Sequence, residues 1–365
     1  MRLIVTNIDA NILLCYTCTY IGAKRMKKDE ERNEMSFYWK VRTMISGDYR
    51  EMERNMLQYH NKKVIEKYKE KEKIYCIIRL YTVDGGLMCV FFRALEGISY
   101  SIQNGFIPII DMQTKENVFL NKKERKNQNA WELFFEQPVK TEKTLDEIRK
   151  LPNKIIFDNP VGPGDILELM SAPEIVKYWR KLCKEYIRYS AEVKNCIAQY
   201  KEMFQSEDRV LGVLARGTDY LNPAANVAFG HPMQPDSKEV IANTKRLVKE
   251  QHCNKIFLAT EDEKILQAMQ AEFGDKLVCV EQKRYYGIQK KRLVHLADYA
   301  KDAVEMNRAY LTAIHYLSKC NCFFGGFVTG TTGAYLMSDG FEKFELWYKG
   351  KQGINDETTL DINKI

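Results

Sequence analysis

Short apolar runs alternate with longer amphipathic segments along most of the chain after residue 73. Runs that are apolar throughout are typical of strands buried on both faces of a sheet. We predict such strands at 74–80, 106–112, 210–216, 255–260, 276–280 and 320–326. Apolar residues at helical spacing predict helices at 87–103, 237–250, 262–272 and 296–318. Because strands and helices alternate, we expect an α/β fold with parallel sheets.

The first half opens with a strand, a glycine-rich turn, a helix and a second strand. The turn is Asp84-Gly85-Gly86, and Asn104-Gly105 ends the helix that follows. Such a unit predicts two parallel strands. A long helical region is predicted from Ser171, whose spacing to Glu174 resembles a capping box, to Tyr200. We interpret it as the connection between two domains.

Residues 1–70 are the least informative part of the sequence, and charges of both signs are crowded from Lys24 to Lys73. The stretch 50–73 is typical of a mostly solvated helix. A basic amphipathic helix that touches a membrane or a polymer is the alternative, and the interspersed Glu residues disfavour it. We therefore predict three parts: a largely helical N-terminal extension at 1–73, an N-terminal Rossmann-like domain at 74–205, and a C-terminal Rossmann-like domain at 206–365.

Composition narrows the class of protein. The 365 residues are 45% apolar and 29% charged, which supports a folded core and excludes a mainly disordered chain. No run approaches the roughly 18 apolar residues of a membrane-spanning helix. A net charge of +7 suits an anionic ligand without demanding nucleic acid. Ten scattered cysteines, several of them in apolar runs, indicate a reduced, cytoplasmic protein, and a cleaved signal peptide is the weaker interpretation.

Several catalytic motifs are absent from the sequence. It contains no P-loop, no GxSxG elbow and no HExxH, so a P-loop NTPase is disfavoured. Its five His residues show no metal-ligand spacing. We therefore expect neither a metal nor a resident cofactor.

Polar residues follow several predicted strands, at the edge where open α/β sheets bind ligands. Arg216-Gly217-Thr218-Asp219 follows the strand at 210–216, and Thr260-Glu261-Asp262 follows the next one. A glycine-rich turn at 325–333 leads into a helix, and such a turn suits a phosphate. Arg216 could clamp a diphosphate and neutralise it as it leaves; an interdomain salt bridge is the alternative.

Gly85-Gly86 would face the same crevice from the first half, and a plain tight turn is an equally good interpretation. The pattern alone therefore indicates a two-domain glycosyltransferase that uses a nucleotide sugar.

At these residues the chain resembles the GDP-fucose-dependent fucosyltransferases, which include α-1,6-fucosyltransferases, the rhizobial nodulation enzyme and the O-fucosyltransferases. The run 211–219, LGVLARGTD, is similar to the family strand GVHVRRTD. The run 257–262, FLATED, is similar to YLATDD, and 314–318, IHYLS, is similar to IHFLS. His231-Pro232 is similar to a family His-Pro, and the stretch 85–112 resembles the opening unit of bacterial polysaccharide enzymes.

The resemblance implies an inverting, metal-independent transferase of GT-B-like fold, with two Rossmann-like domains facing a central crevice. Arg216 would contact the diphosphate of a nucleotide-sugar donor, GDP-fucose by analogy, and Asp219 is the nearest substitute for a catalytic base. A glycan in surface polysaccharide would be the acceptor. The residues expected to bind the donor are Gly85, Gly86, Thr218, His231, Thr260, Glu261, Asp262, Thr329, Gly330, Thr331 and Thr332.

The sequence departs from the family at three places. Leu214 and Ala313 stand where the family has residues associated with guanine recognition, so another nucleotide sugar is an alternative donor. The stretch 220–230 has no carboxylate where the family places its acidic base, so a degenerate glycan-binding or nucleotide-binding protein is a further alternative.

Two basic stretches leave partners open. The stretch 283–292 is basic and aromatic, and we expect it to meet an anionic acceptor or solvent rather than nucleic acid. The stretch 115–126 could face an acidic polysaccharide or the inner face of a membrane, with peripheral association there.

Overall fold

A computed structural model describes residues 37–82, 85–221, 231–287 and 293–351 of the chain. The chain divides into two compact units, residues 1–62 and residues 63–365. Helix α1, Phe37–Tyr68, confirms a helix over most of the stretch predicted at 50–73. The rest of the N-terminal extension, Asp84, most of the stretch 220–230 and the basic residues 290–292 lie outside the described residues.

The first half contains a three-stranded parallel sheet in the order β2-β1-β3. Strand β1, Tyr75–Arg79, is central and pairs with β2, Ile107–Asp111, and with β3, Lys154–Asp158. Helix α2, Leu87–Gln103, joins β1 to β2 with the predicted bounds, because Gly86 stands at its N-cap and Asn104-Gly105 ends it. The apolar face of α2 packs closely on the sheet, so there is no room for a side chain at Gly97: a Cβ there would lie 2.4 Å from Ile78.

The second half contains a five-stranded parallel sheet in the order β6-β5-β4-β7-β8. In chain order, its strands are β4 Val210–Leu214, β5 Lys255–Ala259, β6 Leu277–Val278, β7 Cys322–Gly326 and β8 Lys343–Trp347. Its helices are α7 Ser237–Glu250, α8 Glu263–Phe273, α9 Ala297–Leu317 and α10 Thr329–Met337. The direction of strand addition reverses between β4 and β7, as in doubly wound folds. The prediction of two parallel α/β halves is confirmed.

Helix α3, Leu145–Lys150, lies between β2 and β3. The two halves are linked by α4 Ile166–Met170, α5 Pro173–Tyr186 and α6 Ala191–Ala198. The helical region predicted from 171 to 200 consists of two helices, because Tyr189 pairs with Phe135 between them and Ser190 is the N-cap of the second. The Ser171 capping box is wrong: α5 has Ala172 at its N-cap with no side-chain hydrogen bond.

Both halves share a continuous apolar core. Trp131, Phe134 and Phe135, which lie close together in the sequence, are buried in it. Arg180 of α5 donates two hydrogen bonds to the carbonyl oxygen of Tyr335 in α10. At the start of α2, Met88 lies against Gly333 of α10, where a Cβ would be 2.6 Å from its sulfur. The domain limits at 73/74 and 205/206 stay a prediction. Among the described residues, no helix is long and apolar enough to cross a membrane.

Candidate functional site

The predicted polar residues of the second half meet at the carboxyl ends of β4, β5 and β7. Strand β4 ends at Leu214, two residues earlier than predicted, so Arg216 lies in the loop beyond it. A short 3-10 turn, Thr218–Leu221, follows. The site therefore lies where strand order reverses, which is the position of ligand sites in open α/β sheets.

Arg216 is a fixed, partly exposed cation at the centre of this site. Its guanidinium lies 3.3 Å from a carboxylate oxygen of Glu261 and 3.4 Å from one of Asp219. It also lies over the ring of Tyr220, 4.6 Å from the centroid. Burial works to lower the pKa of Arg216, but the charges of Glu261 and Asp219 outweigh it and raise the pKa above its usual value. Arg216 thus pairs within its own sheet edge rather than across domains.

Two acidic residues after β5 hold the loop that carries Arg216. Glu261 accepts a hydrogen bond of 2.9 Å from the backbone N–H of Gly217, and Asp262 accepts one of 2.9 Å from that of Thr218. A Cβ at Gly217 would lie 2.4 Å from Asp262, so only glycine permits this approach. Asp262 also caps the N-terminus of α8. Because burial dominates its surroundings, the pKa of Glu261 is raised.

Three of the predicted donor-binding residues are buried beneath the loop that carries Arg216 or within it. Thr218, with a left-handed φ of 49°, donates its hydroxyl to Asp219 and to Glu261. Thr260 accepts from the backbone N–H of Asp262. Thr218, Thr260 and Asp262 are each no more than 3% exposed, so their contacts shape the loop from within.

Asp219, the predicted substitute for a catalytic base, is a buried and well-bonded carboxylate. It is 5% exposed and accepts hydrogen bonds from Thr218, Arg216 and the backbone N–H of Leu293. In this arrangement it balances the charge of Arg216.

The glycine-rich turn after β7 begins helix α10 at Thr329. Val328 stands at the N-cap and provides no side-chain hydrogen bond, so the helix starts without a side-chain cap. Thr331 and Thr332 are buried, and the hydroxyl of Thr331 donates to the carbonyl oxygen of Gly326 at 2.6 Å. Thr329 is the exposed residue of the predicted set 329–332.

Sequence reasoning missed Tyr310 of α9, which lies close to Arg216 and Glu261. A Cβ at Gly330 would be 2.5 Å from its hydroxyl oxygen, so glycine is needed there. Burial raises the pKa of Tyr310, and its charge interactions include Arg216, Cys89 and Tyr220. Tyr310 precedes Ala313 by one helical turn on α9, so the helical spacing of the sequence could have placed Tyr310 on the same face as Ala313.

The first half reaches the same site through the start of α2. Gly86 is the N-cap of α2, with open space where a Cβ would stand, and Gly85 packs on Thr82 and Cys89. Cys89 lies near Tyr220 and Tyr310. The structure thus brings the predicted glycine turn close to the Arg216 cluster.

His231 also lies beside this cluster. Its ring meets that of Tyr220 edge to face, with centroids 5.5 Å apart.

The two positions that depart from the family pattern are buried and apolar. Leu214 is 3% exposed and Ala313 is 2% exposed. Leu214 ends β4 beneath Gly330, where a Cβ would lie 3.1 Å from its side chain. Neither side chain can donate or accept a hydrogen bond to a base. Among the residues that the structure describes, no group of three or more His, Cys, Asp or Glu is arranged to hold a metal ion.

Comparison with known proteins finds likenesses among solved structures. No family model and no curated protein matches the chain. It is similar to the NodZ α-1,6-fucosyltransferase soaked with GDP-fucose, at 16% identity over 73% of this chain and 93% of that one, with a TM-score of 0.44. It is similar to a variant of Arabidopsis thaliana FUT1 in complex with GDP, at 10% identity over 80% and 76%, with a TM-score of 0.46. POFUT1 in complex with GDP-fucose matches at 12% identity over 81% and 79%, with a TM-score of 0.31. These structures belong to the group that the motifs resemble.

Proposed function

We propose that the protein is a glycosyltransferase that moves a sugar, fucose from GDP-fucose in the first instance, to a hydroxyl of a glycan with inversion at the anomeric carbon. One observation carries the proposal: Glu261 and Asp219 hold the guanidinium of Arg216 at the switch point of the second sheet, where β7 leads into the start of α10, which has no side-chain cap. A diphosphate is the ligand that such a fork of N–H donors binds best.

The reaction needs charge neutralisation more than covalent chemistry. The acceptor oxygen attacks the anomeric carbon, the bond from that carbon to the diphosphate oxygen breaks, and the diphosphate keeps the electron pair. Arg216 stabilises the charge that develops on this leaving group. The acceptor proton passes to a base, for which Asp219 is the nearest candidate carboxylate, or to solvent.

The donor base is the open part of the proposal. The motifs at 211–219 and 257–262 favour GDP-fucose, whereas apolar Leu214 and Ala313 favour another nucleotide sugar. A thermal-shift panel with GDP, UDP, CDP and dTDP, each with and without magnesium, separates these donors. A ligand at 100 times its dissociation constant raises the free energy of unfolding by about 2.7 kcal/mol. A GDP-selective shift without magnesium supports a fucosyltransferase. A shift that is selective for another nucleotide excludes GDP-fucose as the donor.

A binding protein without turnover is the second candidate function. It is favoured by the hydrogen bonds that already occupy the carboxylate of Asp219. Within the described residues, its carboxylate accepts hydrogen bonds from Arg216, from Thr218 and from the backbone N–H of Leu293, and these bonds compete with a role as a base. Release of GDP from GDP-fucose above a blank, measured with excess acceptor glycans, would remove this candidate.

The cellular setting is proposed with the function. We place the protein in the synthesis of a surface polysaccharide, on the cytoplasmic side, where nucleotide sugars are made and peripheral contact with the membrane can occur. Neither a metal nor a resident cofactor is part of the proposal, and nucleic acid is not a proposed partner. Loss of retention on a polyanion column at modest salt supports the last point.

A further inference from the structure

A second cation lies at the carboxyl edge of the first sheet, in Arg93 of α2. Its Nη1 donates to the backbone carbonyl of Tyr81 after β1 at 3.0 Å, and to the side-chain oxygen of Asn159 after β3 at 3.1 Å. Asn159 takes a left-handed φ of 44° to present that oxygen. Arg93 therefore spans the point where strand order reverses in this sheet, which is its natural ligand position.

The charge of Arg93 has no acidic partner within the described part of the chain. Both of its acceptors are neutral, in contrast to Arg216, which faces two carboxylates. Nη1 makes these bonds alone, so Nε and Nη2 keep donors for a ligand. A half-buried guanidinium with a spare pair of donors fits a carboxylate or a phosphate.

The loop after β2 adds more positive charge to the same edge. The stretch 115–126 holds five basic and two acidic residues. The backbone N–H of Thr82 donates to the carbonyl of Glu116, so this loop runs beside the chain that leaves β1. Lys122, Lys123 and Lys126 are exposed, and no ion pair is formed by them among described residues. We call Arg93 together with these three lysines the basic edge.

Arg93 is the part of the basic edge that lies next to the proposed donor site. Cys89, which lies near Tyr220 and Tyr310 beside Arg216, precedes Arg93 by four residues on α2. Four residues along a helix are about 6 Å and return to the same face. A group bound by Arg93 would thus be within a sugar ring or two of the donor.

We propose that the acceptor is an anionic glycan, whose carboxylate or phosphate is bound by Arg93 while the lysines of the basic edge bind charges further along it. This inference rests on the proposed function, because only a transferase has an acceptor. Binding of the anionic glycan itself does not need turnover. Glycan is favoured over a membrane because Arg93 is recessed between β1 and β3, whereas a flat anionic surface reaches exposed lysines only.

Calorimetric binding of trigalacturonate to the full chain tests the inference. Its carboxyl-reduced form is the neutral control, and a phosphorylated trisaccharide is the second anionic arm. We expect binding of an anionic arm that weakens as salt is raised, at least tenfold weaker binding of the neutral sugar, and at least tenfold loss in Arg93→Gln. Arg93→Lys should lose less, because it keeps the charge and can keep one bond. A triple Lys→Gln change at 122, 123 and 126 should lose affinity severalfold, and the matched triple change at exposed Lys238, Lys249 and Lys343 should not.

The outcomes are separable. Equal binding of neutral and charged sugars, no binding of any of the three, or full affinity in Arg93→Gln overturns the inference. Binding to vesicles of 30% anionic lipid that depends on the three lysines and not on Arg93 would overturn it in favour of a membrane. Thermal unfolding checks that each variant folds. The GDP shift of each variant tests the proposed function by itself, because a chain that binds trigalacturonate through Arg93 but no nucleotide would refute only that function.

Discussion

Replacing Arg216 by Ala should destabilise the protein as well as remove its activity. The guanidinium is the counter-ion of Glu261 and Asp219, whose side chains are only 12% and 6% exposed. Glu261 would keep its hydrogen bonds from Gly217 and Thr218 but would lose its nearest positive charge. Removing one partner of a buried ion pair costs about 3–5 kcal/mol. We expect a loss of that size in the free energy of unfolding at pH 8.

The loss should depend on pH through Glu261. Burial already raises the pKa of this carboxyl, and without Arg216 it rises further. A carboxyl whose folded pKa lies above its unfolded value stabilises the folded state at low pH and loses that effect as pH rises. The deficit of Arg216→Ala should therefore be larger at pH 8 than at pH 5.

Urea unfolding of four proteins at both pH values measures the effect: wild type, Arg216→Ala, Glu261→Gln and the double variant. Because the neutral amide needs no counter-ion, Glu261→Gln should recover part of the loss, with a coupling energy of about 1–3 kcal/mol. Arg216→Lys is the charge-conserving control and should stay closer to wild type. The reasoning is refuted if Arg216→Ala loses the same stability with and without Glu261→Gln, at either pH.

Three further changes have defined outcomes. Tyr310→Phe should leave the unfolding free energy within about 0.5 kcal/mol but weaken nucleotide binding about tenfold, since a hydrogen bond to a charged group contributes about 1.5–3 kcal/mol; equal GDP affinity in the two proteins would contradict this. Gly97→Ala should cost about 1–3 kcal/mol in urea unfolding, because its Cβ would lie 2.4 Å from Ile78, and the added Ile78→Val change should restore part of it. Burial lowers the pKa of His315 to about 4, so its contribution to the free energy of unfolding is full above pH 6.5 and is lost as pH falls towards 4. His315→Gln should remove about 3 kcal/mol of this pH dependence. If the unfolding free energies of wild type and variant change in parallel with pH, His315 is not its source.

Elements with a strong local pattern were predicted well from the sequence. Helices 87–103 and 237–250 have the predicted bounds, because a glycine and an Asp capping box mark their starts. Strands β3 and β8 were missed. Lys154–Asp158 and Lys343–Trp347 carry polar or half-buried positions at the sheet edges, so neither forms a continuous apolar run.

Prediction of the functional site from the sequence has a different limit. The sequence predicts Arg216, Glu261 and Asp262 at one sheet edge, because apolar runs show where the strands end. It could not show that the two acidic residues hold the loop from within, since that depends on the close approach at Gly217. Tyr310 and Arg93 were missed because each lies within a helix and reaches the site only through tertiary packing.

The central position of β4 has a consequence for how the protein folds. Its partner strands β5 and β7 come from distant parts of the chain. Beyond β4, Thr218 bonds to Asp262, 44 residues away, and at the start of β4 Val210 bonds to Asn321, 111 residues away. Closing the longer loop rather than the shorter one costs only about 0.8 kcal/mol more entropy, so stability hardly suffers. Non-local parallel pairing does slow folding, however. Nucleotide binding would therefore emerge only once the last distant strand has joined, which makes it a reporter of completed folding.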